Sequence, residues 1–373
     1  MSTSKSTMRF GVIMAGGSGE RFWPVSRRNH PKQLLRLTRP DRTMLGEAVE
    51  RLSPLIPAER IIIATAPHLV EPIRKAGVGV PDGNVLAEPA KRNTSGCLAY
   101  AAAWLMARHG APELITMAVV TADHLIEDPE RFRATVAASL DAAEAQEVLV
   151  TQGIVPDRPE TGYGYIQAKD IGKPISILDG IAAYEVAAFH EKPKQDVAEK
   201  FVASGNYFWN SGMFFWRVST FLAELDQARP ALAEATRAMA AALRAGDAKE
   251  TAAIFESLED ISIDYALMER ARRAVVVRAD YPWDDVGAWT SLDRTRTPDA
   301  QGNVAEGGPI LVDTTNSIVY NEAGADAIAV SVVGMDNVVV VVSADGVLVI
   351  PKDRAQDVRY AVAELKKRGG KQI

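Results

Sequence analysis

In the first part of the chain, short apolar runs alternate with longer stretches of helical period. Positions 10–14, 60–65 and 117–121 read as strands, each apolar and bounded by polar or turn residues. Positions 45–52, the alanine-rich 96–108, and 131–146 with Pro129 near its start read as helices. Strands alternating with helices predict a mostly parallel sheet covered by helices on both faces. From 163 to 216 the pattern turns β-rich, and from 220 to about 245 it returns to helix. A polar, turn-forming stretch at Thr297-Pro298-Asp299 marks a boundary, dividing the chain into domains 8–296 and 297–373. Beyond it, short β-runs at 310–312, 317–320, 327–333, 338–342 and 347–350 recur with Gly, Asn and Asp between them, before a closing helix at 355–367. Such spacing suits a small sandwich or a few turns of β-solenoid, and periodicity alone does not choose between them.

Composition narrows the function classes. A chain of 373 residues with 47% hydrophobic content can bury a large core and divide in two. A net charge of −6 with no basic tract argues against a nucleic-acid binder, so any phosphate binding must rest on local constellations. The lone cysteine, Cys97, excludes an intrachain disulfide and fits a reducing compartment. Neither the polar start of the chain nor any later segment has the apolar length of a signal peptide or a membrane span. The expectation is a cytoplasmic protein with neither nucleic-acid nor membrane partner.

The apolar run at 10–14 breaks into Ala15-Gly16-Gly17-Ser18-Gly19-Glu20-Arg21-Phe22-Trp23-Pro24, followed by Pro31-Lys32-Gln33. Glycines let backbone N–H groups crowd an anion with no Cβ in the way, and Arg21 and Lys32 supply full positive charge. This predicts a triphosphate-binding loop. It is not a P-loop, because Gly11-x4-Gly16 is followed by Gly17 instead of lysine. Nor is it a dinucleotide fingerprint, because Phe22 stands where the last glycine should be. The pattern Gly-Gly-x-Gly-x-Arg-x-x-Pro with a downstream Pro-Lys resembles the sugar-nucleotide pyrophosphorylases, and Arg-Phe-Trp-Pro-x-Ser with Pro-Lys-Gln is most similar to their mannose-1-phosphate guanylyltransferase branch. The resemblance implies a Rossmann-like α/β nucleotidyltransferase domain on a mixed, mostly parallel sheet. It further implies a small C-terminal β-rich domain of truncated left-handed β-helix type.

Other segments extend the resemblance in chain order. Asp123 follows the strand-like 117–121, where a carboxylate facing a phosphate loop suits Mg²⁺. Trp283-Asp284-Asp285-Val286-Gly287 resembles the family's Trp-x-Asp-x-Gly, which implies Asp123 and Asp285 as metal ligands, with Asp284 the alternative if the turn reverses the two. Glu88-Pro89-Ala90-Lys91-Arg92-Asn93-Thr94 resembles the segment lining the nucleotide pocket. Glu88 would accept from guanine N1–H and N2–H, and Asn93 or Thr94 would contact base or ribose, although Asn93-Thr94 also suits a helix cap. Relatives continue with Ala-Pro where this chain has Ser95-Gly96-Cys97. The resemblance assigns nucleotide binding to Ala15, Gly16, Gly17, Ser18, Gly19 and Glu20, with Arg21 and the Gly16 to Gly19 amides on the triphosphate. It assigns the sugar phosphate to Gly162, Tyr163, Gly164, Glu191, Lys192 and Asn210, with backbone amides of the glycines approaching the pyranose and an aromatic ring of this segment able to flank it. Ser262-Ile263-Asp264 also matches, with no role for Asp264.

The implied reaction joins GTP and mannose 1-phosphate into GDP-mannose and pyrophosphate, with Arg21, Lys32, Asp123 and Lys192 as the catalytic set. A phosphate monoester has a second pKa of about 6, so the nucleophile is already ionised and no general base is needed. The work is positional and electrostatic. Alternatives are another hexose 1-phosphate or nucleotide, such as glucose 1-phosphate with UTP or dTTP, and an inactive regulatory relative. The latter expects losses among Arg21, Lys32, Asp123 and Asp285, and all four are present. Larger relatives carry an isomerase domain, whereas a single helix after the β-rich segment carries the expectation of no isomerase activity. A homodimer stays open.

Overall fold

The apolar run that precedes the glycines becomes an interior strand of a ten-stranded sheet in the computed structural model, which describes residues 7–373. Strand β1 (Met8–Met14) pairs in parallel with β2 (Ile61–Thr65) on one side and β4 (Ile115–Thr121) on the other, and β3 (Val85–Ala87) extends β2. Two-residue strands β5 (Leu125–Ile126) and β12 (Trp283–Asp284) lie further along the chain. The sheet continues with β6 (Leu149–Ile154), β7 (Gly164–Ala168), β8 (Ser176–Leu178), β9 (Ile181–Glu191), β10 (Tyr207–Arg217) and β11 (Ala274–Ala279). Its order is β3-β2-β1-β4-β10-β6-β11-β9-β7, with β8 on β9. Only β9 and β10 run against the rest, so the sheet is mixed but mostly parallel in strand direction. Strands buried on both faces read as unbroken apolar runs, which is why β1, β2 and β4 stand out in the sequence.

By contacts the chain forms two compact units, neither continuous in sequence. One holds the chain up to Gly16, Ala48–Ala122 and Ile126–Trp283; the other holds Gly17–Glu47, Asp123–Leu125 and Asp284–Ile373.

The first unit contains the whole sheet. Helix Asn93–His109 is buried along most of its length, with Ala99, Ala101, Ala102 and Ala103 fully enclosed in the core that also holds Phe221 and Phe255. Small side chains let it sit deep in that core, where Trp216 stacks on Phe221 with ring centroids 4.9 Å apart. The expected helix over 220–245 is two helices, Val218–Ala228 and Pro230–Ala245. Pro230 has no amide to donate and takes the first position of the second helix, so the break falls at Arg229.

The second unit is built on β13 (Val304–Glu306), β14 (Ile310–Val312), β15 (Ile318–Asn321), β16 (Ser331–Val333), β17 (Val338–Val342) and β18 (Val347–Pro351). Strand β15 pairs in parallel with β13 and β17, β14 pairs in parallel with β16, and β18 closes antiparallel on β17. Successive strands alternate between two parallel ladders, which is the pairing of a solenoid and decides against a sandwich. Asn303 is buried between turns, donating to Thr314 O at 2.8 Å and accepting from Ser317 N at 3.0 Å. The solenoid core (Val304, Ile318, Val339, Val341, Leu348) is completed by Phe22, Leu35, Leu37, Met44 and Trp289. The phenylalanine of Arg-Phe-Trp-Pro is therefore structural: Phe22 is buried with its centroid 5.1 Å from Trp289. The closing helix begins later than expected, at Val358–Lys367, after a 3-10 turn over Lys352–Asp357.

Candidate functional site

Within the second unit, the chain just after Gly16 borders a cavity of about 530 Å³. The carbonyls of this loop are tied back: Gly17 O accepts from Gln33 Nε2 at 3.2 Å, and Gly19 O accepts from Phe22 N at 2.9 Å and Ser26 Oγ at 2.8 Å. The amides of Gly17, Ser18 and Gly19 donate to no protein acceptor among the described residues. Successive unfilled N–H groups beside a cavity form an anion-binding nest. Gly19 has φ +62°, and a Cβ there would lie 2.6 Å from Lys32 N and Cβ, so only glycine fits.

Lys32 is buried in the same cavity wall and donates to Asp123 Oδ2 at 2.9 Å and to Asp285 O at 2.7 Å. Burial pushes the Asp123 carboxyl up, but Lys32, His124 and Arg21 outweigh it and hold the group below the ordinary carboxylate range. Asp123 therefore stays an anion at neutral pH. Asp285 also lines the cavity. Asp284 is occupied elsewhere: buried, it accepts from Val286 N at 2.7 Å and from Arg294 Nε at 2.6 Å. Among the described residues, no three His, Cys, Asp or Glu side chains form a self-sufficient metal cage. Two carboxylates on one cavity fit a hard cation that takes its remaining ligands from phosphate and water. Arg21 is exposed on the rim, and Glu20 is ion-paired to Lys366 at 2.6 Å.

In the first unit, Ala15 continues the line of β1, its N donating to Ala64 O at 2.8 Å and its O accepting from Thr65 Oγ1 at 2.9 Å. Gly16 faces Glu88, whose Oε1 would lie 3.5 Å from a Cβ there. Burial pushes the Glu88 carboxyl up to about 7, against a hydrogen bond from Cys97 that lowers it. The helix after Glu88 begins at Asn93, which sits at φ +56° and accepts from Thr94 N at 2.9 Å. The Thr94 hydroxyl does not cap this helix; it accepts from Ile263 N at 2.8 Å, a tertiary bond that outcompetes the local one. Gly96 is required by closeness, since a Cβ would lie 2.5 Å from Arg92 Cβ.

A second cluster of the first unit brings Gly164, Glu191 and Asn210 together. A Cβ on Gly164 would come within 2.7 Å of Glu191 Oε2 and 3.3 Å of Asn210 Cβ. Asn210 is clamped at both ends of its amide: Oδ1 accepts from Gly212 N at 3.1 Å and Nδ2 donates to Asp264 Oδ1 at 2.7 Å. Burial, with Glu191 nearby, raises the Asp264 carboxyl despite that bond. Lys192, at φ +47°, is ion-paired to Glu191 and donates its amide to Tyr163 O at 3.2 Å. The Gly162 amide donates to Glu160 Oε1 at 3.0 Å. The Tyr163 ring is buried edge-on between Trp209 and Trp283, with centroids at 5.2 and 5.3 Å, so the ring itself is spent on packing.

Comparison with known proteins decides the family. The nucleotidyl transferase model matches residues 10–301, and the MannoseP isomerase/GMP-like beta-helix domain model matches 307–365. Mannose-1-phosphate guanylyltransferase of Escherichia coli (strain K12) is 41% identical over 364 residues, covering 96% of this chain and 73% of that one. The chain belongs to the mannose-1-phosphate guanylyltransferases. Alginate biosynthesis protein AlgA of Pseudomonas aeruginosa is 37% identical over 361 residues, covering 96% and 72%. A solved structure named mannose-1-phosphate geranyltransferase, from Thermus thermophilus, matches at TM-score 0.83 and 35% identity, covering 96% of this chain and 100% of that one. As a guanylyltransferase-family enzyme the chain is a nucleotidyltransferase of sugar-nucleotide synthesis. No helix among the described residues is long and apolar enough to cross a membrane. Sequence reasoning missed two polar side chains, Gln356 and Arg359 at the second unit's cavity, and left Asp264, which lies under Asn210, without a role. The first two carried no signal beyond polar positions on a helix and the turn before it.

Proposed function

We propose that the chain converts GTP and α-D-mannose 1-phosphate to GDP-mannose and pyrophosphate. The observation that carries this reading is the cavity where three unfilled loop amides, Arg21, Lys32 and two carboxylates meet, in a member of this family. The Gly17–Gly19 amides and Arg21 bind the triphosphate. Lys32, anchored by Asp123 and the Asp285 carbonyl, stands at the α-phosphate and its leaving group. Asp123 and Asp285 would hold Mg²⁺, which supplies charge neutralisation at the reacting phosphoryl oxygens. Glu191 and Asn210 orient the mannose hydroxyls and Lys192 receives its phosphate, ionised and therefore ready to attack in line. We place the enzyme in the cytoplasm. The deciding experiment is pyrophosphate release with each nucleoside triphosphate against each hexose 1-phosphate, with and without Mg²⁺. Preference for UTP or dTTP with glucose 1-phosphate would overturn the assignment.

Arg21→Ala is expected to lower kcat by about 10²–10³, the usual cost of losing one preorganised charge stabiliser. Near-normal turnover would remove Arg21 from the triphosphate.

Glu88 gives a pH signature. With its carboxyl at about 7, Glu88 is mostly protonated a unit below that value and mostly an anion a unit above it, and only the anion accepts both guanine N–H groups. The KM for GTP is therefore expected to fall as pH rises from about 6 to about 8, and Glu88→Gln to abolish that dependence and relax preference for GTP over UTP. Stability runs the other way. The folded value lies above the unfolded one, so stability falls as pH rises between the two and the penalty is complete above the folded value. Glu88→Gln should then raise stability at about pH 8 by about 1–3 kcal/mol, readable as a higher melting temperature. A destabilised Gln variant with unchanged base preference would sink the assignment.

A further inference from the structure

The turn before the closing helix and the helix itself bring two polar side chains, Gln356 and Arg359, to the cavity lined by Arg21, Lys32, Asp123 and Asp285. Their placement follows from the anchoring of this segment. Ala355, Val358 and Val362 are buried, which leaves 356 and 359 outside the core. Gln356 Oε1 accepts from Arg21 Nη1 at 3.1 Å, a neutral partner that fixes the guanidinium without cancelling its charge.

Ion pairing along the closing turn and helix is selective. Lys366 neutralises Glu20, the one loop carboxylate that would repel a phosphate. Arg354 is matched by Asp357, and Arg368 by Glu364. Arg21 and Arg359, by contrast, form no ion pair with a carboxylate among the described residues. Arg359 is nevertheless held in place: its guanidinium lies 4.9 Å from the Tyr360 ring centroid, and Nη2 donates to the Tyr360 hydroxyl at 3.2 Å. Two preoriented guanidiniums outside any ion pair, beside three unfilled amides, suit a polyanion whose oxygens they can bind in pairs. The cavity thus has a cation-plus-carboxylate group at Lys32, Asp123 and Asp285, suited to a metal-bridged phosphate. It also has the two guanidiniums, suited to the phosphates that carry charge away.

We infer that Arg359 binds the β- and γ-phosphates, the portion that departs as pyrophosphate, and that Gln356 is a positioning residue that aims Arg21. The closing helix and the turn before it thereby supply part of the polyphosphate site. This rests on the functional reading above.

The test uses the full chain as Arg359→Ala, Arg359→Lys and Gln356→Ala. Arg359 and Gln356 are exposed, so these variants should fold, and thermal unfolding checks it. Arg359→Ala is expected to raise KM for GTP, KM for pyrophosphate in the reverse reaction, and the calorimetric Kd for pyrophosphate by about tenfold each, the scale of one charge-assisted contact. The KM for mannose 1-phosphate should stay near its parental value, and Arg359→Lys should recover part of the loss. Gln356→Ala should lower kcat severalfold in the parent but have no effect in an Arg21→Ala background. Unchanged GTP and pyrophosphate constants in an otherwise active Arg359→Ala overturn the inference and leave the functional reading standing. A parent inert with mannose 1-phosphate, whose GTP and pyrophosphate binding still weakens in Arg359→Ala, overturns the functional reading and supports the inference. A parent that binds neither ligand overturns both.

Discussion

Asp123→Asn is expected to lower kcat by about 10⁴-fold, with the residual rate no longer rising on addition of Mg²⁺ and the fold retained. A metal at a reacting phosphoryl group contributes several kcal/mol of charge stabilisation, and each ~1.36 kcal/mol is a factor of ten. Asparagine is isosteric and keeps an oxygen to accept from Lys32, so the buried ammonium stays partnered through that amide and the Asp285 carbonyl. Asp123→Ala differs, because it leaves Lys32 with the Asp285 carbonyl as its hydrogen-bond partner and should lower the melting temperature as well as the rate. Steady-state kinetics over a Mg²⁺ series, beside thermal unfolding of both variants, separates the two effects. An Asn variant with parental kcat and the parental Mg²⁺ response would remove Asp123 from the chemistry.

What is legible in the sequence, and what stays hidden, follows from the range of the forces involved. Strands β1, β2 and β4 are readable because burial on both faces leaves an unbroken apolar run. The loop at 16–21 is readable because three glycines and a cation at fixed spacing have few structural uses. The packing of Tyr163 is hidden, because Trp209 and Trp283, which enclose its ring, lie 46 and 120 positions away. The cap reading of Thr94 fails for the same reason of range, since a capping rule knows nothing of the Ile263 amide that takes its hydroxyl. The apolar period through 220–245 conceals the break because both helices bury residues in the same core, and only Pro230 marks it. The solenoid repeats reveal their strands but not what covers them. Phe22, Leu35, Leu37 and Met44 complete the core around Ile318 and Val339, and nothing local to those strands points so far upstream.

Asp285→Asn and Asp284→Asn, changes at adjacent carboxylates, are expected to fail in opposite ways. Asp285 lines the cavity that also holds the unfilled amides, and if it is the metal ligand proposed above, its loss should lower kcat by about 10³–10⁴-fold at an almost unchanged melting temperature. Asp284 holds the turn. Its Oδ1 accepts from the amide of Val286, a β-branched residue at φ +46°, a conformation that costs about 1–3 kcal/mol and persists only where its surroundings enforce it. Its Oδ2 accepts from Arg294, whose guanidinium would lose this ion pair. Removing one member of a fully buried pair costs about 3–5 kcal/mol, but the Arg294 side chain is 35% exposed, so about 2 kcal/mol is the expected loss, with a melting temperature lower by several degrees. Some activity should survive in Asp284→Asn, because the asparagine oxygen still accepts from Val286 N and keeps Asp285 at the cavity. The measurement is kcat, Mg²⁺ dependence and thermal unfolding on both variants side by side. If Asp284→Asn lost Mg²⁺-dependent turnover without losing stability while Asp285→Asn stayed active, the ligand would be Asp284, and the turn would have to reverse to bring it there.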